Sequence, residues 1–193
     1  MKIAIHQPEH FPYMGFFQKM NACDLFVILD NVKYRKNYFQ NRNKFINKSG
    51  NEEWFTVPVE KKAHSKLIKD VYTSKDTTWR KKIVKKIEQN MGVTTSEIYD
   101  SEKILDINLR SIKWCMEKLY IKKKMILASH LSVSGNKSEL LANIVRKLGS
   151  NHYVSGPSGK NYLELEYFDG INVEFFVPDV KNHYSMLYNI CKK

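Results

Sequence analysis

Cysteine is scarce in this chain: Cys23, Cys115 and Cys191 stand far apart and outside any CxxC or CxxH spacing. An odd, dispersed set excludes a disulfide framework and a cysteine-based zinc site, and predicts reduced thiols. No run of about 18 apolar residues is present to span a bilayer, and the opening MKIAIHQPEH lacks the apolar stretch of a signal peptide. These absences predict a cytoplasmic chain with no membrane span. Only five prolines and eight glycines punctuate the sequence, with no repeat, Pro/Ser linker or low-complexity block, so a single domain over residues 1–193 is expected. Acidic side chains are outnumbered, 20 against 32 basic ones, which leaves +12. That sign predicts attraction to something anionic without choosing among nucleic acid, phosphorylated metabolite, anionic membrane surface and acidic protein. The abundant Lys, Asn and Ile are residues that A+T-rich codons favour, a second source of the same excess. No GxSxG elbow, GxGxxG fingerprint or HExxH helix occurs, which removes support for hydrolase, Rossmann and zinc-protease readings.

Hydropathy patterning supplies the elements. Lys2 to His6 reads as a short buried strand that stops at Gln7-Pro8. Tyr13 to Ala22 carries Phe16, Phe17 and Met20 at helical spacing, and Leu25 to Leu29 is a compact apolar strand closed by Asp30-Asn31. Strand-like segments follow at 53–59 and 68–73, with Pro58 demoting the first toward an edge. The middle of the chain, about 76–120, predicts two amphipathic helices. The first runs from about Asp76 to Met91 and stops at Gly92; the second runs from about Asp106 to Tyr120. A strand at Met125 to Ser129, a helix over about Lys137 to Leu148, and strands at 152–155 and 171–177 complete the pattern, and Tyr184 to Ile190 reads as a closing helix. Strands alternating with amphipathic helices imply an α/β fold with a mainly parallel central sheet flanked by helices. Ligands in such sheets sit where strand ends open into loops.

Three polar clusters fall at predicted strand ends. His6 and His10 bracket Gln7-Pro8 and offer donors, acid/base groups or metal ligands that titrate near neutral pH; the bland alternative is a strand cap and a solvated histidine. A metal site needs a third and fourth ligand, and none stands at suitable spacing, so no metal is expected. Asp30 precedes a loop with Lys33, Arg35, Lys36 and then Gln40-Asn41-Arg42-Asn43. Amides and guanidinium groups there suit phosphate, carboxylate or sugar hydroxyl, with Arg42 able to hold an anion bidentately, whereas the individual lysines read as a solvated loop. Ser155, Gly156, Ser158, Gly159 and Tyr162 form the third cluster, a small-residue bend in which backbone N–H groups could approach an anion, although the composition also fits a plain turn.

Taken in order, Ile5-His6-Gln7-Pro8, Phe11-Pro12, Gly15-Phe16-Phe17, Asp24 to Asp30, Gln40-Asn41-Arg42-Asn43, Thr56-Val57-Pro58-Val59 and Tyr153-Val154-Ser155-Gly156 with Gly159 and Tyr162 resemble the WbqC-like protein family over nearly the whole chain. The resemblance implies a role in bacterial gene clusters for O-antigen and other surface polysaccharides. After Tyr162 the sequence departs from the family pattern toward a compact end. The opening strand, histidine turn and helix also resemble HIGH-type (HUP) nucleotidyltransferases and pantothenate synthetase, where paired histidines stabilise a phosphoryl transition state. Here His6 and His10 match that pair in separation, while Glu9 stands where the motif has a small glycine; the likeness is one of fold.

The expected function is therefore a transferase of surface-polysaccharide precursor biosynthesis, passing an acyl or aminoacyl group to an amino sugar or related amine. His6 is the expected general base, Asp30 its orienting partner and His10 a second catalytic histidine. Gln7, Asn41, Arg42, Ser155, Gly156, Ser158, Gly159 and Tyr162 are the expected substrate-binding residues. The expected partner is an anionic small molecule such as a nucleotide sugar or carrier-bound acyl group, and an acidic acyl carrier protein also suits the charge. No cofactor is implied by any motif. An ATP-dependent adenylating or nucleotidyl-transferring enzyme is the alternative. A basic nucleic-acid-binding module, with Tyr34, Tyr38 and Phe39 stacking bases, is a third reading, weighed down by the frequency of such alternation on ordinary half-buried loops.

Overall fold

The computed structural model describes residues 1–192. The chain forms two compact units whose segments interleave along the sequence. The first comprises Met1–Gln7, Gly15–Asp30 and Lys122–Lys181; the second comprises Pro8–Met14, Asn31–Ile121 and the segment from Asn182 onward.

The first unit is built on β1 (Lys2–His6), β2 (Leu25–Ile28), β5 (Met125–Leu127), β6 (His152–Ser155) and β7 (Asn172–Phe175), a five-stranded sheet in the order β5-β2-β1-β6-β7. Every pairing is parallel. Parallel strands covered on both faces read as apolar runs rather than alternating ones, and Ile3, Ala4, Phe26, Val27, Ile28 and Val154 are all fully buried. Two helices belong here. α1 (Met14–Asn21) buries Phe16, Phe17 and Met20, and α4 (Lys137–Lys147) buries Leu140, Leu141, Ile144 and Val145. Each such side chain contributes about 1.5–3 kcal/mol on leaving water. A capping box starts α4: the Asn136 side chain accepts from the backbone of Glu139, whose carboxylate accepts from the Asn136 N–H. The α/β class and the parallel sheet agree with the sequence pattern.

The second unit contains an antiparallel hairpin, β3 (Arg42–Ile46) and β4 (Glu52–Thr56), with helices α2 (Thr78–Met91), α3 (Ile104–Lys118) and α5 (Met186–Cys191). Gly92 ends α2 in the left-handed conformation, φ +69°, and its N–H donates to the Glu88 carbonyl. Phe11, Phe45, Phe55, Trp79 and Tyr99 form an aromatic core.

Two segments differ from the sequence expectation. Residues 68–73 do not form a strand: Ile68–Asp70 is a short 3-10 turn, followed by single bridges from Tyr72 to Lys103 and from Thr73 to Val59. Apolar Ile68 and Val71 are buried there without a neighbouring strand to pair with over any length. Conversely, Arg42 to Ile46, expected as loop, is strand β3. Its buried positions include Asn43, whose amide donates to the carbonyls of His10 and Phe11; a polar residue facing inward hides the alternation that marks a strand.

Candidate functional site

All five parallel strands of the first unit end on one edge. From β1 the chain steps outward to β2 and β5, then returns to the far side of β1 with β6 and β7. The direction reverses between β1 and β6, and the crevice at such a reversal is where open α/β sheets bind ligands. His6 is the last residue of β1 and Ser155 the last of β6, and register carries Asp30 two residues past the β2 end, level with Ser129 past the end of β5.

His6 is half-buried, with its ring edge-on to Phe16 at 4.9 Å between centroids. Its Nδ1 lies 3.0 Å from the Gln7 carbonyl. A carbonyl only accepts, so Nδ1 carries the hydrogen and Nε2 keeps its lone pair. Desolvation pushes the imidazole down to about 3, the Lys19 ammonium adds to the fall, and the Gln7 hydrogen bond opposes it. At neutral pH the ring is uncharged.

Lys19 was not anticipated. It is 5% exposed on α1, and its Nζ donates to the Ile5 carbonyl at 3.0 Å, one residue before His6. The signal was present in the sequence: Lys19 follows Phe16 by three positions and so shares its buried face. Ser129 was also missed. Its N–H and hydroxyl both donate to the Asp30 carboxylate, at 2.9 and 2.6 Å, and Asp30 is 1% exposed. The group that orients His6 is thus the Gln7 carbonyl, while Asp30 fixes the turn after β5.

The Ser155 bend is tightly determined. Pro157–Asn161 forms a 3-10 turn, the Gly159 N–H donates to the Gly156 carbonyl, and the Ser155 hydroxyl donates to the same carbonyl at 3.2 Å. A Cβ built on Gly159 would collide with the Ser155 Oγ and crowd Leu163 and Phe175, so any side chain there forces these neighbours to shift. The Gly159 N–H, one of the expected anion donors, is occupied by this turn. Ser158 and Tyr162 are exposed.

The remaining expected residues lie in the second unit. His10 is fully buried; its Nε2 meets the Tyr99 hydroxyl at 3.1 Å, its Nδ1 has no partner among the described residues, and the rings of Phe11 and Phe55 pack against it. Burial pushes it, too, down to about 3. Asn41 is spent structurally, donating from Nδ2 to the Val57 carbonyl at 2.8 Å. Arg42 is half-exposed, donates from Nη2 to the Asn37 carbonyl at 2.7 Å and stacks on Trp54. Tyr34, a candidate for base stacking, is 3% exposed and presents no free ring face.

A profile of the WbqC-like protein family matches residues 7–190. The chain belongs to the WbqC-like family. It is 29% identical to "Uncharacterized protein Rv1507c" of Mycobacterium tuberculosis (strain ATCC 25618 / H37Rv) over 203 residues, which cover 97% of this chain and 87% of that protein. No solved structure matches it significantly. Among the described residues no helix is long and apolar enough to cross a membrane. Within this WbqC-like chain the carboxyl edge of the parallel sheet gathers His6, Lys19, Asp30, Ser129 and the Ser155–Gly159 bend, and the second unit holds His10, Asn41 and Arg42.

Proposed function

We propose that this chain is a transferase of bacterial surface-polysaccharide precursor biosynthesis that moves an acyl or aminoacyl group onto the amine of an amino sugar, with its reacting centre at the carboxyl edge of the first unit. The observation that carries this reading is a neutral histidine with a fixed tautomer at the strand-order reversal. As the amine nitrogen bonds to the acyl carbon, His6 Nε2 accepts the amine proton; the bond from the acyl carbon to its carrier breaks, and the proton passes to the leaving group. An imidazole held near 3 is a weak base in the empty site. Negative charge developing on the acyl oxygen beside it strengthens that base in the transition state, where it is needed. Family membership supports the pathway, and the basic surface suits a carrier bearing acidic residues.

A thermal-shift screen with nucleotide sugars, ATP with magnesium and acyl carrier proteins, followed by a transfer assay on whichever stabilises the chain, tests this. His6→Gln should bind the same ligand and lose turnover. Full activity in that variant would remove His6 from the chemistry. ATP-dependent adenylyl or nucleotidyl transfer is the second reading, favoured by a strand order that places nucleotides at this crevice in other α/β sheets. Against it stands the burial of His10 among aromatic rings, which withholds the second histidine from a triphosphate. Magnesium-dependent ATP consumption would establish it over acyl transfer.

A further inference from the structure

Residues 31–51 contain six Lys or Arg and no Asp or Glu. The hairpin continues past them into β4 with Glu52 and Glu53, and its solvent-facing side carries an alternating row of cations and rings. Lys44 stands opposite Trp54 in register. The Arg42 guanidinium lies 4.3 Å and the Lys44 ammonium 5.9 Å from the Trp54 ring, and Lys44 is also 5.6 Å from the Tyr184 ring. Phe39 extends the row, near-parallel to Trp54 at 29° and 6.3 Å. One indole therefore has two like charges within 6 Å of its ring centre. Lys44 is balanced by Glu52 at 2.9 Å, but among the described residues no carboxylate pairs with Arg42. Its Nη2 donates to the Asn37 carbonyl, and its Nε is buried without a partner among the described residues. The nearly buried Tyr34 hydroxyl, which feels the Arg42 charge, is unpartnered as well. The partly exposed Arg42 guanidinium over the Trp54 ring is the cation that an anion arriving from solvent would compensate.

We infer that this hairpin face docks a nucleoside diphosphate group, the ring extending the Phe39–Trp54–Arg42 stack and the two phosphates bridging Arg42 and Lys44. Arg42 and Lys44 are two residues apart on one face of a strand, roughly 7 Å between Cα atoms, so both heads can reach one diphosphate at two points. A guanidinium offers its face to a planar ring and its N–H edge to phosphate at once, which explains arginine at the position nearest the indole. Base stacking on such a platform tolerates any base. The inference deepens the functional reading above by assigning the nucleotide part of a nucleotide sugar; the sugar rests on that reading, the diphosphate on the hairpin alone.

The test is titration of the intact chain with UDP, uridine and inorganic pyrophosphate at constant ionic strength, read by tryptophan emission and by calorimetry. UDP should bind saturably and quench emission. Uridine and pyrophosphate should each bind at least tenfold more weakly. Trp54→Leu should abolish the quench, and Arg42→Ala should weaken UDP tenfold or more with little change in melting temperature. Should Arg42→Ala fail to fold, Arg42→Lys keeps the charge and loses the stack, and should cost UDP more than pyrophosphate. UDP binding that persists in His6→Gln, with or without transfer activity, stands for the hairpin independently of the chemistry in the first unit. No saturable UDP binding, equal affinity for pyrophosphate and UDP, or an oligothymidylate displacing UDP with a steep salt dependence would each overturn it.

Discussion

The two units differ most in how they hold charge. The first carries 10 basic and 8 acidic side chains, a net of +2, and the second 22 and 12, a net of +10. The first buries two charges at its sheet edge, Lys19 and Asp30, each given hydrogen-bond partners, and leaves most of the others exposed. The second displays its charge against aromatic rings, on Arg42, Lys44, Arg35 over Tyr38 and Lys66 over Tyr72. A buried charge in a sheet crevice acts on neighbouring groups at low dielectric, while a displayed one mainly attracts and orients what arrives from solvent. On the proposed reading, chemistry falls to the first unit and capture to the second.

The largest effect expected from that contrast is catalytic. His6→Ala should reduce transfer by about a hundredfold to ten-thousandfold, measured as kcat/KM, with an unchanged circular dichroism spectrum; His10→Phe, a change inside an aromatic core, should act on stability instead. Acid sensitivity comes next. Both histidines have folded-state values near 3, below the ordinary 6.5, so unfolded chains bind protons that the folded units refuse. Stability is complete above about pH 6.5 and falls as pH drops toward 3, by about 1.4 kcal/mol per pH unit for each histidine. Denaturant melts at pH 7, 5 and 4 should show that slope, and His10→Phe should remove its share; a flat profile would mean that neither ring is held neutral. Gly159→Ala forces a methyl onto the Ser155 hydroxyl and should cost about 1–3 kcal/mol by overpacking, read as a lower urea midpoint. Smallest of all, Glu53→Gln breaks a half-exposed pair with Lys86 and should cost under about 1 kcal/mol, less than Gly159→Ala by the same measurement.

Helical spacing of apolar residues located α2, α3 and α4, and short apolar runs closed by turn residues located strands β1, β2, β6 and β7. The same runs put His6 and Ser155 at strand ends, and the pairing of β1 with β6 makes those ends neighbours. What escaped was polar and inward. Asn43 turns into the core to satisfy two backbone carbonyls, so β3 looked like loop. His10 follows a Gln-Pro turn that reads as surface, yet three aromatic rings enclose it. Ser129 pairs with Asp30 across 99 residues of sequence, and that partnership appears only once β2 and β5 lie side by side. The division of the chain into interleaved units has no composition boundary to announce it.

The hydrogen on His6 Nδ1, held by the carbonyl of the very next residue, makes the ring a dead end for protons rather than a corridor. In the proposed transfer, whatever Nε2 picks up has to depart through Nε2, so the atom that gives the proton and the atom that finally keeps it must visit the same side of the imidazole in turn.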